Sequence, residues 1–149
     1  KKPVQELFSD AVIKKTIVKE FTEPASFVAY NQGNGQFQIQ KMPTYLQLSC
    51  INAISCLDVN ADGFTDLVMG GNNFGFPPMM GRLDASFGQV LLGDGKGNWQ
   101  PQTANISGLE LRGEIRDIQT LHTKNKDCLL ILQNNESPVL YSIQKAIKH

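Results

Sequence analysis

The sequence predicts a mainly β fold with one short amphipathic helix at its start. From Ser26 onward, short apolar runs alternate with turns rich in Gly, Asn and Asp, which is typical of strands joined by hairpins. Segments of this part also recur at a fixed spacing: Phe37 and Trp99 each follow a Gly-rich turn and are 62 positions apart (99 − 37). The same spacing relates residues 67–69 to 129–131 and residues 72–73 to 134–135.

A repeat of this length, made of about four strands, is typical of a β-propeller blade. The phase of the repeat predicts a partial β-propeller, with one complete four-stranded blade flanked by two incomplete blades. We expect one domain, a fragment of a larger propeller, because a closed propeller needs at least four blades. Its expected parts are a helical lead-in (1–24), a partial blade (25–48), a full blade (49–108) and a second partial blade (109–149).

The predicted helix covers residues 4–21. Its apolar residues recur at spacings that approximate one helical face, and Ser9 and Asp10 are suitable N-cap residues. Three lysines, Lys14, Lys15 and Lys19, are expected on a solvated face, although the helix could also contact a separate domain. We expect the larger apolar residues to cover one sheet edge or face: Leu7, Phe8, Val12, Ile13, Ile17, Val18 and Phe21.

Composition narrows the class of partner. The chain has 149 residues with 14 basic and 14 acidic side chains, so no basic field favours nucleic acid. There is no apolar run near 20 residues, and no membrane span is expected. The chain opens at Lys1 without an initiator Met, which suggests an excised piece of a longer protein. Three cysteines lie in apolar contexts without metal-ligand spacing and are expected to be buried free thiols: Cys50, Cys56 and Cys128.

The candidate metal site is the loop of residues 58–66. Oxygen-bearing side chains occupy positions 1, 3, 5 and 9, which are Asp58, Asn60, Asp62 and Asp66, and Gly63 permits a turn with positive φ. Such a loop suits Ca²⁺, which takes six to eight oxygen ligands. An EF-hand is not expected, because its twelfth position requires Glu and here holds Met69. The alternative is a polar hairpin tip whose Asp and Asn residues cap turns.

Other candidates for chemistry are sparse. His122 and His149 have no recognisable nucleophile partner, and residues 94–98, with a lysine at the third position, are expected to form a simple turn. A long loop carries Arg82, Asp84 and Ser86, for which local pairing is the favoured interpretation over a functional site. The same loop contains an apolar segment, residues 74–80, which is expected to pack against a neighbouring blade; a partner surface is the alternative.

Residues 54–72 (ISCLDVNADGFTDLVMGGN) resemble the FG-GAP or VCBS repeat of integrin-α-like β-propellers. With the turns at 31–37, 81–86 and 93–97, the likeness extends over about residues 25–143 and is closest to the C-terminal part of ASPIC/UnbV (cartilage-acidic-protein-like) bacterial proteins. The resemblance implies a structural Ca²⁺ held by the side chains of Asp58, Asn60, Asp62 and Asp66 and by the carbonyl of Phe64.

The resemblance also implies a function. The expected protein is extracytoplasmic (periplasmic, cell-surface or secreted), non-catalytic, and serves recognition or scaffolding of a protein or carbohydrate ligand. The alternative is part of a propeller enzyme, a lyase or hydrolase, whose active site lies mostly outside this fragment. Neighbouring blades of the full-length protein are the expected partners. Because exposed strand edges template further pairing, the fragment alone is expected to self-associate as a symmetric dimer.

Overall fold

A computed structural model describes residues 3, 6–17, 19–124 and 126–144 of the chain. The fold is mainly β, as predicted, and consists of three antiparallel sheets. The strands are β1 (Phe27–Gly33), β2 (Gln36–Lys41), β3 (Ile51–Leu57), β4 (Asp66–Gly71), β5 (Gln89–Gly93), β6 (Trp99–Gln102), β7 (Ile115–His122), β8 (Asp127–Gln133) and β9 (Val139–Ser142). Two one-turn helices accompany them, α1 (Asp10–Ile13) and α2 (Ala104–Ser107).

The sheets contain two, four and three strands in chain order. Strands β1 and β2 form the first sheet, β3 to β6 the central sheet, and β7 to β9 the third sheet, each in simple up-and-down order. Across the described residues these sheets do not close into a barrel. No helix in the described ranges is long and apolar enough to cross a membrane.

The central sheet is covered on both faces. One face packs against the third sheet through Ala53, Val68 and Val90, together with Ile115 and Ile131. The other face packs against the first sheet and the one-turn 3₁₀ helix at Thr44–Gln47, and its buried residues are Met42, Leu46, Leu67, Met69 and Leu91. Strand β4 is therefore buried at all six positions, which suits the apolar run at residues 67–69 and the two glycines that follow it; Asp66 is its one charged residue.

The spacing of 62 seen in the sequence is also the spacing of the strand pairing. In the first sheet Tyr30 pairs with Gln38, and in the central sheet Leu92 pairs with Gln100. Each partner is 62 positions beyond its counterpart (92 − 30 and 100 − 38), so the hairpins β1–β2 and β5–β6 have the same register.

The hairpins β3–β4 and β7–β8 are also copies of one another. Both contain a bulge at the corresponding place, between Ile51 and Ala53 in one and between Ile115 and Asp117 in the other. Beyond each bulge, the backbone N–H of an asparagine bonds a carbonyl before the first strand: Asn72 to Cys50 at 3.3 Å, and Asn134 to Glu114 at 2.9 Å. The third sheet therefore repeats the first three strands of the central sheet.

The helix predicted over residues 4–21 is mostly wrong. The helix α1 is four residues long and buries no side chain, and the Ser9 side chain makes no capping bond. The nearby apolar residues are exposed, Leu7 by 62%, Ile17 by 84% and Phe21 by 89%, so within the described residues this segment covers no sheet edge. Residues 4, 5 and 18 of the predicted helix lie outside the described residues. Isolated helices this short are unstable in water without a surface to pack on.

Two smaller predictions also differ from the structure. Phe37 and Trp99 are equivalent in register, but Phe37 is 58% exposed and is not a core residue, whereas Trp99 is half-buried. All three cysteines are free, as expected, but only Cys128 is buried, while Cys50 is half-buried and Cys56 is exposed. Strand β3 alternates between its two faces, and Cys56 falls on an outward-facing position.

Candidate functional site

The candidate metal loop connects β3 to β4 and is organised by its own side chains. The two oxygens of Asp58 accept hydrogen bonds from the backbone N–H groups of Asp62 (3.2 Å) and Gly63 (2.9 Å). Asn60 Oδ1 accepts a bond from Asp62 N–H at 3.1 Å, and Asp62 Oδ1 accepts one from Phe64 N–H at 2.8 Å. The carboxylate oxygens of Asp58 and Asp62 and the amide oxygen of Asn60 thus accept hydrogen bonds from the backbone inside the loop.

The backbone of the loop has the conformation expected from its glycine. Gly63 has φ +94°, as predicted, and Ala61 also has a positive φ of 62°. Residues other than glycine rarely adopt a φ near that of Gly63, so the tight turn depends on the glycine at position 63. This local requirement is what allows successive backbone N–H groups to reach the Asp58 carboxylate.

Asp66, the ninth residue of the loop, is fully buried at the start of β4. Its two carboxylate oxygens accept bonds from the backbone N–H groups of Val59 and Gly93, each at 2.9 Å. Burial raises the pKa of Asp66 above its ordinary value of 3.8, and the charges of Asp62 and Asp58 add to the rise, while the two backbone bonds oppose it. The three carboxylates therefore repel one another across the loop.

The loop also leans on the neighbouring hairpin. The Phe64 ring lies against Gly95 in the turn between β5 and β6, where any side chain would overlap the ring. That turn, residues 94–98, has the structure of a simple turn: Asp94 Oδ1 accepts the N–H groups of Lys96 (2.8 Å) and Asn98 (3.0 Å). Phe64, whose carbonyl is the remaining predicted ligand, therefore contacts the neighbouring turn through its ring.

The five predicted ligands are brought into one loop, but not into a finished coordination shell. Among the described residues, no group of three or more His, Cys, Asp or Glu side chains is placed to hold a metal ion. Two of the five predicted ligands, the Asn60 amide and the Phe64 carbonyl, are not among these four residue types and are therefore not counted in such a group. Each carboxylate oxygen also retains lone-pair capacity beyond the hydrogen bond that it accepts, which for Asp62 Oδ2 comes from the Asn60 side chain at 2.9 Å.

The loop residues Arg82, Asp84 and Ser86 do not form a catalytic cluster. The Arg82 guanidinium stacks on the Phe74 ring at 5.0 Å, and Asp84 is exposed. Ser86 is buried, and its hydroxyl donates to Gln89 Oε1 at 3.2 Å. Within the same loop, Met79 is 93% exposed, so this part of the apolar segment does not pack against the described residues.

The histidines likewise offer no catalytic arrangement in the described part of the chain. His122 Nδ1 lies 2.9 Å from Asp127 Oδ1 at the exposed tip of the β7–β8 hairpin. His149 lies outside the described residues. An imidazole–carboxylate pair at a hairpin tip, without an adjacent nucleophile, is a surface hydrogen bond by its geometry.

Sequence reasoning missed the residue with the most buried polar contacts, Asn72. Asn72 directly follows β4, its side chain is fully buried, and its backbone has a positive φ of 87°. The Oδ1 atom accepts bonds from the Ser49 hydroxyl and from Ser86 N–H, and Nδ2 donates to the carbonyls of Ser86 and Gly113. Asn72 therefore joins β3, the long loop and the segment that enters the third sheet. The recurrence of asparagine at position 134 was the available signal.

Glu114 is the second buried group that the sequence did not reveal. Its Oε1 accepts Phe74 N–H at 2.6 Å and pairs with Arg116 at 3.3 Å, and its Oε2 accepts Asn134 Nδ2 at 2.6 Å. The bonds from Phe74 and Asn134, in that order, lower the pKa of Glu114 below its ordinary value of 4.5. These contacts fasten the long loop to the third sheet.

Comparison of the chain with protein-family models, with curated proteins and with solved structures finds no match.

Proposed function

We propose that this chain is part of an integrin-α-like β-propeller of the FG-GAP/VCBS type and that it binds one structural Ca²⁺ in the loop of residues 58–66. The observation that carries the proposal is the loop itself. Its side-chain oxygens accept hydrogen bonds from backbone N–H groups at the tip of one hairpin, while the described residues of the repeated hairpin contain no equivalent set.

The propeller part of the proposal is supported by the repeated sheets. Four antiparallel strands in up-and-down order are the composition of a propeller blade, and the central sheet has that composition. The first sheet corresponds in register to its last two strands, and the third sheet to its first three. In a propeller, successive blades are arranged around a central axis and pack face to face through equivalent residues. The three sheets of this chain pack on one another in that manner.

The calcium part is supported by electrostatics. A buried carboxylate is costly unless it is paired, and Asp66 has two backbone donors but no cationic side chain among its described partners. A divalent cation would offset its repulsion from Asp58 and Asp62. The side chains of those three residues and of Asn60, with the Phe64 carbonyl, would hold the ion, and Ca²⁺ would cross-link the loop.

The proposed role is recognition or scaffolding outside the cytoplasm, where Ca²⁺ at millimolar concentration suits a site of modest affinity. Three carboxylates and a neutral amide give the loop fewer charges than a site with four acids, which favours such an affinity. Neighbouring blades of a longer protein would cover the outer faces of the first and third sheets. A protein or carbohydrate is the proposed ligand class of the whole propeller.

Calorimetry tests the calcium site directly. Ca²⁺ is expected to bind the chain and to stabilise it by about 2.7 kcal/mol at a hundredfold excess over Kd. Asp62→Ala should abolish both effects. The matched control is Asp94→Ala, which removes a similar turn-forming carboxylate from the adjacent hairpin and should leave Ca²⁺ binding intact. Equal heats for the parent and Asp62→Ala, or no stabilisation at millimolar Ca²⁺, would contradict the proposal.

The strand edges that have no strand partner among the described residues lead to a proposal about assembly. On its own the chain is expected to form a symmetric dimer, because edges with unpaired backbone groups associate and two-fold closure uses the same edge twice. Analytical ultracentrifugation over a wide concentration range measures this. A chain that remains monomeric at high micromolar concentration would show that its edges are protected.

A further inference from the structure

The turn of residues 93–99, which joins β5 to β6, contacts two parts of the molecule that are far apart in the sequence. One is the loop of residues 58–66 (the calcium loop), and the other is the first sheet, through Tyr30 of β1. The turn therefore connects the candidate metal site with the contact between two sheets.

Three consecutive residues of the calcium loop contact this turn. The Asp66 carboxylate accepts the Gly93 N–H at 2.9 Å. The Thr65 carbonyl oxygen lies so close to Gly93 that a Cβ there would overlap it, and the Phe64 ring lies in the same way against Gly95. Because glycine has no side chain, the loop and the backbone of the turn are in direct contact, and a movement of one displaces the other.

The same turn forms the hydrogen bonds that attach it to the first sheet. The Tyr30 hydroxyl donates to the Gly97 carbonyl, 67 positions later, at 2.9 Å, and it accepts the Trp99 indole N–H at 2.9 Å. A Cβ at Gly93 would also stand 3.1 Å from the indole ring. Gly93 therefore adjoins both the calcium loop and Trp99.

The charges of the calcium loop oppose the conformation that makes these contacts. Asp58 and Asp62 lie close enough to Asp66 for the three carboxylates to repel one another. A cation bound among them would remove this repulsion and would favour the conformation in which the loop contacts the turn. Coupling between two sites requires an element whose arrangement both sites influence, and the 93–99 turn meets that requirement.

We propose that the 93–99 turn is a coupling element, through which binding of Ca²⁺ to the calcium loop strengthens the attachment of the first sheet at the Tyr30–Trp99 contact. The role of Ca²⁺ in this inference rests on the proposed function, whereas the contact between loop and turn does not. Phe64 is a positioning residue, since its side chain touches the turn and supplies no oxygen to the site. The coupling is reciprocal, so loss of the Tyr30 bonds weakens Ca²⁺ binding by the factor by which Ca²⁺ strengthens the contact.

Trp99 is the single tryptophan of the chain, so its fluorescence reports on this contact alone. Ca²⁺ is expected to shift the emission to shorter wavelength and to reduce quenching by acrylamide, because a more firmly attached first sheet shields the half-buried indole. Phe64→Ala should lose this response and still bind Ca²⁺ in calorimetry. Phe64→Tyr, which keeps the ring, should restore the response.

The reciprocal effect is measured from the first sheet. Tyr30→Phe removes the hydroxyl and both of its hydrogen bonds without changing the calcium loop, and it should weaken Ca²⁺ binding by about fivefold. The matched control is Tyr141→Phe, the same change in the third sheet, where the hydroxyl has no hydrogen-bond partner among the described residues. This variant should bind Ca²⁺ as the parent does.

The outcomes separate this inference from the proposed function. If the parent gives a calorimetric heat with Ca²⁺, an unchanged Trp99 emission, a full response in Phe64→Ala, or equal affinities of Tyr30→Phe and Tyr141→Phe would overturn the coupling. If Phe64→Ala loses the heat as well, the affinity of Tyr30→Phe decides.

If the parent gives no heat, the calcium site is wrong, and the metal-free protein decides the inference. Phe64→Ala should then increase the acrylamide quenching of Trp99 above that of the parent and of Phe64→Tyr, because the turn loses the ring that supports it. Equal quenching in the three proteins would show that the loop does not act on the Tyr30–Trp99 contact.

Discussion

The β3–β4 and β7–β8 hairpins have the same framework and different tips. Both share the bulge and the asparagine N–H bond beyond it. At their outer ends, the pairing of Leu57 with Asp66 corresponds to the pairing of Leu121 with Cys128. Between these ends, the first hairpin has the loop of residues 58–65, whereas in the second the strands pair for one residue more, His122 with Asp127, before a shorter turn. Thr123 closes that turn through bonds with Lys126.

The difference shows which residues serve the framework and which serve the tip. The position of Asp66 is occupied by Cys128 in the copy, 62 residues later (128 − 66), and both side chains are buried. A cysteine side chain fills this position in one hairpin, so the hairpin fold does not need a carboxylate. The carboxylate at position 66 is tied instead to the loop, through its bonds to Val59 N–H and Gly93 N–H.

The largest effect is expected from the asparagines that follow the second strand of each hairpin. Asn72→Ala should destabilise the protein by about 3 kcal/mol, because it leaves several buried backbone groups unpaired. Asn134→Ala should cost about 1 kcal/mol, since its side chain has the single partner Glu114 among the described residues. Urea unfolding of both variants measures the difference.

Asn72→Gly is the control for backbone strain, because Asn72 has φ +87°, which alanine tolerates poorly. If the side-chain bonds dominate, the glycine and alanine variants will be destabilised to a similar degree. Equal stability losses at Asn72 and Asn134 would break the comparison and show that the two hairpins are fastened alike.

The comparison extends to the hairpins β1–β2 and β5–β6. Trp99→Ala should cost about 2 to 3 kcal/mol, because a half-buried indole and its bond to Tyr30 are lost. Phe37→Ala, at the equivalent but exposed position, should cost below about 0.5 kcal/mol. Thermal unfolding tests both, and a larger loss at Phe37 than at Trp99 would contradict the assigned faces.

The smallest expected effect is a shift in titration. Asp66 should titrate above its ordinary pKa of 3.8, and millimolar Ca²⁺ should lower its midpoint, because the bound cation favours the carboxylate. Glu114, with its pKa below 4.5, provides the internal reference and should not respond to Ca²⁺. Carbon-13 NMR of the carboxyl groups reports both midpoints.

The two groups affect stability in opposite directions. The folded pKa of Asp66 is raised, so its contribution is fully present below pH 3.8 and is lost as pH rises through the folded pKa. The folded pKa of Glu114 is lowered, so its contribution is present above pH 4.5 and is lost as pH falls through that pKa. A midpoint for Asp66 at or below 3.8 without Ca²⁺ would contradict the burial argument.

The strands were predictable because alternation and turn chemistry act within a few residues. The repeat at 62 was visible in the sequence because Phe37 and Trp99 follow similar Gly-rich turns, and the strand registers have the same offset. The positive φ of Gly63 was predictable for the same local reason. The burial of Trp99 and the exposure of Phe37 were not, because burial depends on which neighbouring sheet lies above each ring.

Long-range contacts account for the other differences. The apolar spacing of residues 4–21 predicted a helix, but a helical face forms stably only against a partner surface, and Leu7 and Ile17 have none among the described residues. The roles of Asn72 and Glu114 arise from partners many positions away in the chain, such as Gly113 and Phe74. A single sequence contains no sign of these pairs beyond the repeated asparagine.

The central sheet is sandwiched, and this makes the molecule behave as a short linear stack. In the described part of the chain, the two outer sheets pack on opposite faces of the middle one, and β4, whose six residues are all buried, lies between them. In a stack with nearest-neighbour coupling, fluctuations that open the structure begin at its ends. The first and third sheets can therefore detach and rejoin separately, while the middle one survives until the last step of unfolding. A further sheet packed on either end would make the opening of that outer sheet less frequent and would slow hydrogen exchange in the sheets beneath it.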